Sequence, residues 1–118
     1  VVDNGGMHVM NHMLGGTGYI THLATVWPEH DLSVWKLLEA GDYSEAQQKI
    51  QSINWPWLKF REKMASRTSG ESPPVKAALE LLGRCGGPSR LPSRSLNSEE
   101  REELKQVLND LGVPSLIT

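Results

Sequence analysis

Cysteine is nearly absent from the sequence, since Cys85 is the single one among 118 residues. One cysteine excludes an internal disulfide, and it also excludes a small disulfide-held secreted scaffold and a cysteine-rich zinc module. Neither sign of charge dominates, because 12 lysine and arginine residues stand against 14 aspartate and glutamate residues and give a net charge of −2. This balance argues against a dedicated nucleic-acid-binding protein, whose phosphate contacts need a basic excess.

Long apolar runs are also missing. Residues 9–27 carry no lysine, arginine, aspartate or glutamate, but Asn11, His12 and His22 interrupt them and exclude a membrane span. A basic and then apolar leader is not evident before them. Hydrophobic residues make up 38% of the chain, which is enough for a core. We therefore expect one compact, cytoplasmic unit with neither a nucleic-acid nor a membrane partner.

The first 27 residues predict a strand, a helix and a second strand. Residues 1–2 begin a β-branched run that ends in a turn-forming segment, 3–6. Apolar residues within 7–14 have helical spacing, and the glycine pair 15–16 ends that helix. Segment 18–24 is rich in aromatic and β-branched residues and is too short for a helix, so it predicts a strand. A strand, a helix and a strand in succession imply a parallel strand pair.

From Pro28 onward the pattern is helical. Apolar side chains at helical spacing predict a helix that Gly41 ends. Asp42 and Glu45 then have the spacing of a capping box, which begins the next helix. Pro56 is expected to break or kink that helix, because proline lacks an amide donor and clashes with the preceding turn.

Two further helices complete the prediction. Pro73 and Pro74 suit a first helical turn, where the missing amide donor costs nothing. Segment 88–95 is a basic, irregular connection. Asn97 and Glu100 form a second capping box that begins the last helix. The predicted layout is one strand–helix–strand unit followed by four or five helices, so the chain is mostly helical by residue count.

Several polar motifs have both a functional and a structural interpretation. Segment 15–18 has the glycines of a phosphate-binding loop, but it leaves a helix and enters a strand, so we favour a tight turn. His8 and His12 have the i, i+4 spacing of metal ligands without a third ligand nearby, and we favour histidines at the surface or helix rim. The tryptophans could line a ligand site, but packing in the core or at an interface is their more common role. The arginines could bind an anion, but a solvated loop is the more common explanation. These residues are Trp27, Trp35, Trp55, Trp57, Arg84, Arg90 and Arg94.

His22 is the most informative polar residue. If segment 18–24 is a strand of a closed parallel barrel, alternation places Ile20 and His22 on its interior side, toward the strand end where barrel active sites are built. Asp3 and Asn4 lie at the equivalent end of the preceding strand. The alternative is a hydrogen-bonded structural His22 and a turn formed by Asp3 and Asn4.

Four segments keep a characteristic order and spacing along the chain. They are Gly-Gly-Thr-Gly-Tyr-Ile-Thr at 15–21, Leu-Glu-Ala-Gly-Asp-Tyr at 38–43, Pro-Pro-Val-Lys-Ala-Ala-Leu at 73–79 and Arg-Leu-Pro at 90–92. Together they resemble the dihydrodipicolinate synthase and N-acetylneuraminate lyase family. The resemblance implies an α/β fold, the C-terminal part of a TIM (β/α)8 barrel. Residues 1–40 would be its last two β/α units, with strands at about 1–4 and 18–24, and residues 41–118 would be a C-terminal helical extension.

The resemblance also implies a Schiff-base lyase, a class I aldolase or synthase that acts on pyruvate or another 2-keto acid. Family members bind the keto acid through a lysine of the sixth strand and relay protons through a tyrosine of the fourth strand. Both would precede Val1, so we expect no catalytic residue in this segment and no activity from it alone. A covalent lysine removes the need for a metal or cofactor, and the family implies a homo-oligomer, a dimer or a tetramer. The lysines present fall in predicted helices and are not candidates: Lys36, Lys49, Lys59, Lys63, Lys76 and Lys105.

Four residues match substrate-pocket positions of the family. Ile20 matches the position of the eighth strand whose backbone faces the keto acid. His22 matches an inward position that contacts the rest of the substrate in sialic-acid lyases, where serine is usual. Asp3 and Asn4 match the loop after the seventh strand, which helps to bind the variable substrate. Many members have glycine at the Asp3 position and an acidic residue at or near Gly5, so we expect a less characterised aldolase or hydratase-like branch.

A second interpretation belongs to a different class of protein. The chain could be a non-enzymatic helical interaction module, derived from a truncated paralogue. Such a module would bind partners through its exposed sheet edge and its tryptophans.

Overall fold

The computed structural model describes residues 2–3 and 7–114 of the chain, with side chains for 7–114. The chain forms two compact units, Val1–Trp55 and Pro56–Thr118. Helix dominates the described residues, as predicted. None of the helices within these ranges is long and apolar enough to cross a membrane. The predicted boundary at residue 40 divides barrel units from a helical extension. The two compact units are divided at another place, after Trp55, so the predicted boundary is not tested by them and stays a prediction.

Two short strands of the first unit run parallel. Strand β1 (Val2–Asp3) pairs with β2 (Gly18–Tyr19), with Val2 opposite Gly18 and Asp3 opposite Tyr19. Helix α1 (His8–Met13) connects them. The predicted parallel pair is therefore confirmed over two residues of each strand.

The second strand is shorter than its sequence predicts. Segment 18–24 has a strand pattern, but pairing ends after two residues and helix α2 (Leu23–Val26) follows. The Leu23 amide donates a hydrogen bond to Oγ1 of Thr21, at 2.9 Å. A threonine hydroxyl that accepts from the backbone two residues later favours a turn over an extended strand. The prediction that His22 lies on a strand is wrong for this reason.

The connection from α1 to β2 depends on a close approach at Gly16. The Gly16 amide donates to the Asn11 carbonyl at 2.8 Å, and Nδ2 of Asn11 donates to the Gly18 carbonyl at 3.1 Å. A Cβ atom on Gly16 would collide with the Asn11 side chain. Gly15 has a φ of +91°, which L side chains rarely adopt. The glycine pair thus makes a tight helix-to-strand connection.

A core cluster of the first unit comes from two helices and from the first residue after them. The helices are α3 (Pro28–Glu39) and α4 (Tyr43–Lys49), and α3 ends just before Gly41, as predicted. Partly buried side chains from α1 and β2 pack against this core. The fully buried members of the core are Val34, Leu38, Ala46 and Ile50.

The capping box predicted at Asp42 is wrong. Asp42 directly precedes α4, but its side chain makes no hydrogen bond to the helix backbone. Its φ and ψ are −82° and 61°. An N-cap residue normally has an extended backbone, which turns its side chain over the amides of the first turn.

Pro56 does not break the helix in which it lies. A π-helix (Ile50–Asn54) follows α4 and leads directly into α5 (Trp55–Thr68). The Trp55 amide donates to the Ile50 carbonyl, five residues earlier. Proline removes one amide from the ladder, and the wider i→i+5 turn before it accommodates that loss. The predicted break is therefore wrong, and a π-helical turn precedes the proline; the alternative, a kink, stays a prediction.

The second unit consists of α5, α6 (Ser72–Leu81) and α7 (Ser98–Leu111). Pro73 and Pro74 lie in the first turn of α6, as predicted. Residues 82–97 contain neither helix nor strand, which confirms the irregular connection. The buried apolar side chains of this unit include Trp57, Phe60, Met64, Pro73, Pro74, Val75, Ala77, Ala78, Leu96, Leu104, Leu108 and Val113.

The predicted capping box at the start of α7 is confirmed. The Glu100 amide donates to Oδ1 of Asn97 at 2.8 Å, and the Asn97 amide donates to Oε1 of Glu100 at 3.0 Å. Both terminal nitrogens of Arg94 also donate to the Glu100 carboxylate, at 2.7 and 3.1 Å. The hydrogen bonds from Arg94 contribute most to lowering the pKa of Glu100 from 4.5 to about 2, and the hydrogen bond from the Asn97 amide lowers it further. Glu100 is 4% exposed whereas the Arg94 side chain is 46% exposed, so the pair joins a buried carboxylate to a guanidinium at the surface.

We predict that Glu100 makes the stability of this unit depend on acid pH. Because the pKa of Glu100 is lower in the folded state, its contribution is full above about pH 4.5 and is lost as the pH falls toward about 2. Glu100→Gln keeps a capping acceptor and loses the charge. The difference in free energy of unfolding between wild type and this variant should therefore shrink as the pH falls from about 4.5 to about 2. Denaturant unfolding at several pH values measures it. Glu102→Gln, an exposed position of the same helix, is the control, and an equal pH response from both variants would contradict the prediction.

Candidate functional site

The carboxyl ends of β1 and β2 meet at one edge of the strand pair. The backbone of Asp3 lies opposite Tyr19, and Ile20 directly follows Tyr19 at this end of the strands. Ile20 is 68% exposed. Asn4 and the side chain of Asp3 lie outside the described residues. The backbone thus brings two of the predicted site segments together.

His22 takes a different position from the predicted one. It directly precedes α2 with helical φ and ψ of −67° and −30°, and its side chain is exposed. Because strand geometry ends at Tyr19, His22 does not share an interior strand face with Ile20. It lies two residues beyond Ile20 on the turn that leaves the strand. Its part in substrate binding stays a prediction.

A group of buried polar side chains lies behind β2, and we call it the polar cluster. Its members are His8, Tyr19, His30, Asp31 and Asn54. The exposed fractions are 3% for His8, 4% for His30, 5% for Asp31 and 6% for Asn54. Tyr19 is half-buried. Buried polar groups are stable only when they are hydrogen-bonded or paired, so their contacts matter.

Hydrogen bonds connect most of the polar cluster. Oη of Tyr19 donates to the Asp31 backbone carbonyl at 2.7 Å. Nε2 of His30 lies 2.7 Å from Oδ1 of Asn54, and Nδ2 of Asn54 donates to Oδ1 of Asp31 at 3.3 Å. The His8 ring packs edge-on against Tyr19, with ring centroids 4.0 Å apart. The cluster therefore joins α1, β2, α3 and the π-helix.

The polar cluster shifts two ionisation equilibria. Burial raises the pKa of the Asp31 carboxyl, against the opposing effects of His30, the Asn54 hydrogen bond, His8 and Tyr19. Burial, followed by the charge of Asp31, raises the pKa of Tyr19 far above its usual range. Tyr19 therefore acts as a neutral hydrogen-bond donor, and burial makes ionisation of Asp31 less favourable than at the protein surface.

A cavity of about 330 Å³ opens beside β2 and the first turns of α3. Most of its wall is apolar or aromatic, and Asp31 contributes a carboxyl group. The lining residues are Gly18, Tyr19, Thr21, Ala24, Pro28, Asp31, Leu32 and Trp35.

His8 and His12 do not act as a pair. His8 is buried against Tyr19, which corrects the predicted rim position. His12 lies 3.0 Å from Oη of Tyr43 and 3.2 Å from Oε1 of Glu39. Within 7–114 the side chains form no group of three histidine, cysteine or acidic residues that could hold a metal ion.

The tryptophans and arginines also have structural contacts. Trp57 is buried beside Phe60, and Trp27 stacks on His30 with ring centroids 5.2 Å apart. Arg94 binds Glu100 through two hydrogen bonds. The contacts of Trp27 and Trp57 agree with the favoured packing role, whereas Arg94 makes a specific ion pair in place of the predicted solvated loop position.

Sequence reasoning missed the polar cluster, although one signal was available. Asp31 stands three and seven residues before Val34 and Leu38, on the apolar stripe of the predicted helix. A carboxylate on the buried stripe of a helix needs partners, which indicates a polar site. Its partners Tyr19 and Asn54 are distant in sequence, so their identity could not be read from local patterns.

Comparison with known proteins identifies relatives over most of the chain. The family model described as "Dihydrodipicolinate synthetase family" matches residues 4–111. A 4-hydroxy-tetrahydrodipicolinate synthase of Methanocaldococcus jannaschii is 31% identical over 100 residues, which are 85% of this chain and 32% of the relative. The Prochlorococcus marinus synthase of the same name is 58% identical over 80 residues, or 64% of this chain and 24% of the relative.

The fold matches as well. A crystal structure of a dihydrodipicolinate synthase superposes with a TM-score of 0.76 at 28% identity, over 94% of this chain and 36% of that structure. The chain therefore spans about a third of the length of the relatives and of this TIM-barrel neighbour. By sequence and by structure, the chain belongs to the dihydrodipicolinate synthetase family.

Proposed function

We propose that the chain supplies part of the substrate pocket of a Schiff-base-forming lyase that acts on pyruvate or another 2-keto acid. The observation that carries this proposal is the parallel pair, which sets the backbone of Asp3 beside Tyr19, the residue before Ile20, at one end of the two strands. The carboxyl ends of parallel barrel strands are where active sites of this fold are built. Membership of the synthetase family supports the reaction class.

In this proposal, the lysine amine that forms the Schiff base belongs to a part of the enzyme outside this chain. A Schiff base draws electrons from the keto acid, and the family resemblance implies that its lysine lies on a barrel strand. Each lysine of this chain lies in a helix: Lys36 in α3, Lys49 in α4, Lys59 and Lys63 in α5, Lys76 in α6 and Lys105 in α7. Ile20, His22, Asp3 and Asn4 are therefore proposed as binding residues rather than as catalytic ones.

His22 is proposed to contact the second substrate. Its exposed side chain follows Ile20 on the turn that leaves β2. A neutral imidazole can donate a hydrogen bond to a carbonyl or relay a proton near neutral pH. This position suits a residue that binds the variable part of a substrate.

We predict where pyruvate becomes attached. In a chimera in which this chain replaces the matched 100 residues of the Methanocaldococcus jannaschii synthase, borohydride with pyruvate should trap an adduct on a lysine of the synthase portion. Peptide mass spectrometry locates the adduct. Lys36→Arg within the chain should trap to the same extent. An adduct on any lysine of this chain would contradict the proposal.

We further predict a selective effect of His22→Ala in the same chimera. Loss of a hydrogen-bond donor or proton relay should lower turnover with the second substrate about 100-fold. Pyruvate trapping should not change, because the Schiff base forms elsewhere. Ser44→Ala, an exposed position in α4, is the control. Unchanged turnover in His22→Ala would refute the role of His22.

The alternative function is a non-enzymatic helical interaction module, and one observation favours it. The side chains of Met7, Met10, Met13 and Leu14 in and around α1 are 53%, 55%, 59% and 80% exposed. A row of apolar side chains at this spacing can bind a partner helix.

Self-association separates the two functions. A barrel portion with open strand edges should associate with itself through those edges as concentration rises. Sedimentation velocity should then show this for the chain alone, and Leu14→Glu, which changes the apolar row around α1 rather than a strand edge, should leave it unchanged. Leu91→Glu, at a residue that is 91% exposed in the second unit, is the control. A monomer that unfolds cooperatively at all concentrations would favour the module.

A further inference from the structure

The chain turns sharply just after the candidate substrate edge. Strand β2 ends at Tyr19 and helix α2 begins at Leu23, so residues 20–22 make the whole change of direction. His22 is the last of them, with helical φ and ψ of −67° and −30° and an exposed side chain. The contacts that hold this turn therefore determine where His22 lies relative to the strand end.

The Leu23 amide is the group that this turn must satisfy. Leu23 is the first residue of α2, and the amides of a first helical turn have no acceptor within their own helix. Leu23 is 0% exposed, so its amide is shielded from water and needs an acceptor inside the protein. Oγ1 of Thr21 is that acceptor, at 2.9 Å. The Thr21 hydroxyl therefore stabilises the turn in its observed form.

Two other contacts limit what Thr21 can control. Before the turn, Tyr19 donates to the Asp31 carbonyl at 2.7 Å and holds β2 against α3. After the turn, the buried side chain of Leu23 anchors α2. Neither contact involves the Thr21 hydroxyl. Loss of that hydroxyl should therefore move the residues between strand and helix, above all His22, while the strand and the helix stay in place.

We propose that Thr21 is a positioning residue of the lyase, whose hydroxyl holds His22 in the orientation that contacts the second substrate. The inference rests on the proposed function, in which His22 binds the variable part of the substrate. Valine has nearly the shape of threonine, but it cannot accept the hydrogen bond and it favours extended backbone. Serine keeps the acceptor without the methyl group. The two substitutions therefore separate the hydroxyl from the branched shape.

Nuclear magnetic resonance on the full chain tests the turn without any substrate. Thr21→Val should move the Cα chemical shift and the amide-to-Hα coupling of His22 from helical toward extended values. Thr21→Ser should keep the helical values. Thr17→Val, the same substitution at an exposed threonine before β2, is the control and should also keep them. Helical values for His22 in Thr21→Val would overturn the proposal.

Kinetics of the chimera with the Methanocaldococcus jannaschii synthase test the consequence for the reaction. Thr21→Val should lower kcat/KM for the second substrate of that synthase about tenfold, because a buried amide without an acceptor displaces the turn. Thr21→Ser should restore the wild-type value, and pyruvate trapping should not change in either variant. In a His22→Ala background, Thr21→Val should have no further effect, because Thr21 acts through His22. A tenfold loss that persists in that background would overturn the proposal.

The same variants distinguish failure of this inference from failure of the proposed function. Unchanged turnover in His22→Ala would contradict the proposed role of His22 in substrate binding, and the role of Thr21 would fall with it. Lower turnover in His22→Ala together with wild-type kinetics in Thr21→Val would leave the proposed function standing and would overturn the role of Thr21 alone.

Discussion

The hydrogen bond from Tyr19 to the Asp31 carbonyl connects β2 to α3 and so helps to fix the short strand pair of the first unit. A parallel pair of two residues per strand has few ladder bonds, so β2 needs other contacts to hold its position. Tyr19 supplies one to α3, and Asn11 supplies another from α1 to the Gly18 carbonyl. Ile20 follows Tyr19 directly. The geometry of the candidate substrate edge therefore depends on side chains packed behind it.

Local patterns predicted the parts of the fold whose determinants lie close together in sequence. The parallel strand pair, the helix start at Pro73 and the capping box of Asn97 and Glu100 are confirmed. The same capping pattern fails at Asp42, because Asn97 has an extended ψ of 179° and Asp42 has a ψ of 61°. The residue types are alike in the two places, and the backbone entering each helix decides whether the cap forms.

The candidate site was only partly predictable. The order of elements along the chain predicts that its segments lie at the ends of two strands. The turn that removes His22 from the strand instead involves one hydrogen bond, from the Leu23 amide to the Thr21 hydroxyl, which strand patterns do not predict. The polar cluster joins Tyr19 to Asp31 and Asp31 to Asn54 across 12 and 23 residues. Periodicity reports the buried face of a helix, but it carries no information about which distant side chain meets that face.

The π-helix before Pro56 has a consequence for how the chain can vary in length. Its i→i+5 turn holds one residue more than an α-helical turn would. Loss of a residue from Ile50–Asn54 would return the segment to the i→i+4 pattern, and the residues on both sides could keep their inward faces. Loss of a residue within Trp55–Thr68 would instead turn Phe60 and Met64 out of the core. Insertions and deletions among relatives should therefore be tolerated at this turn and be rare in the helix after it.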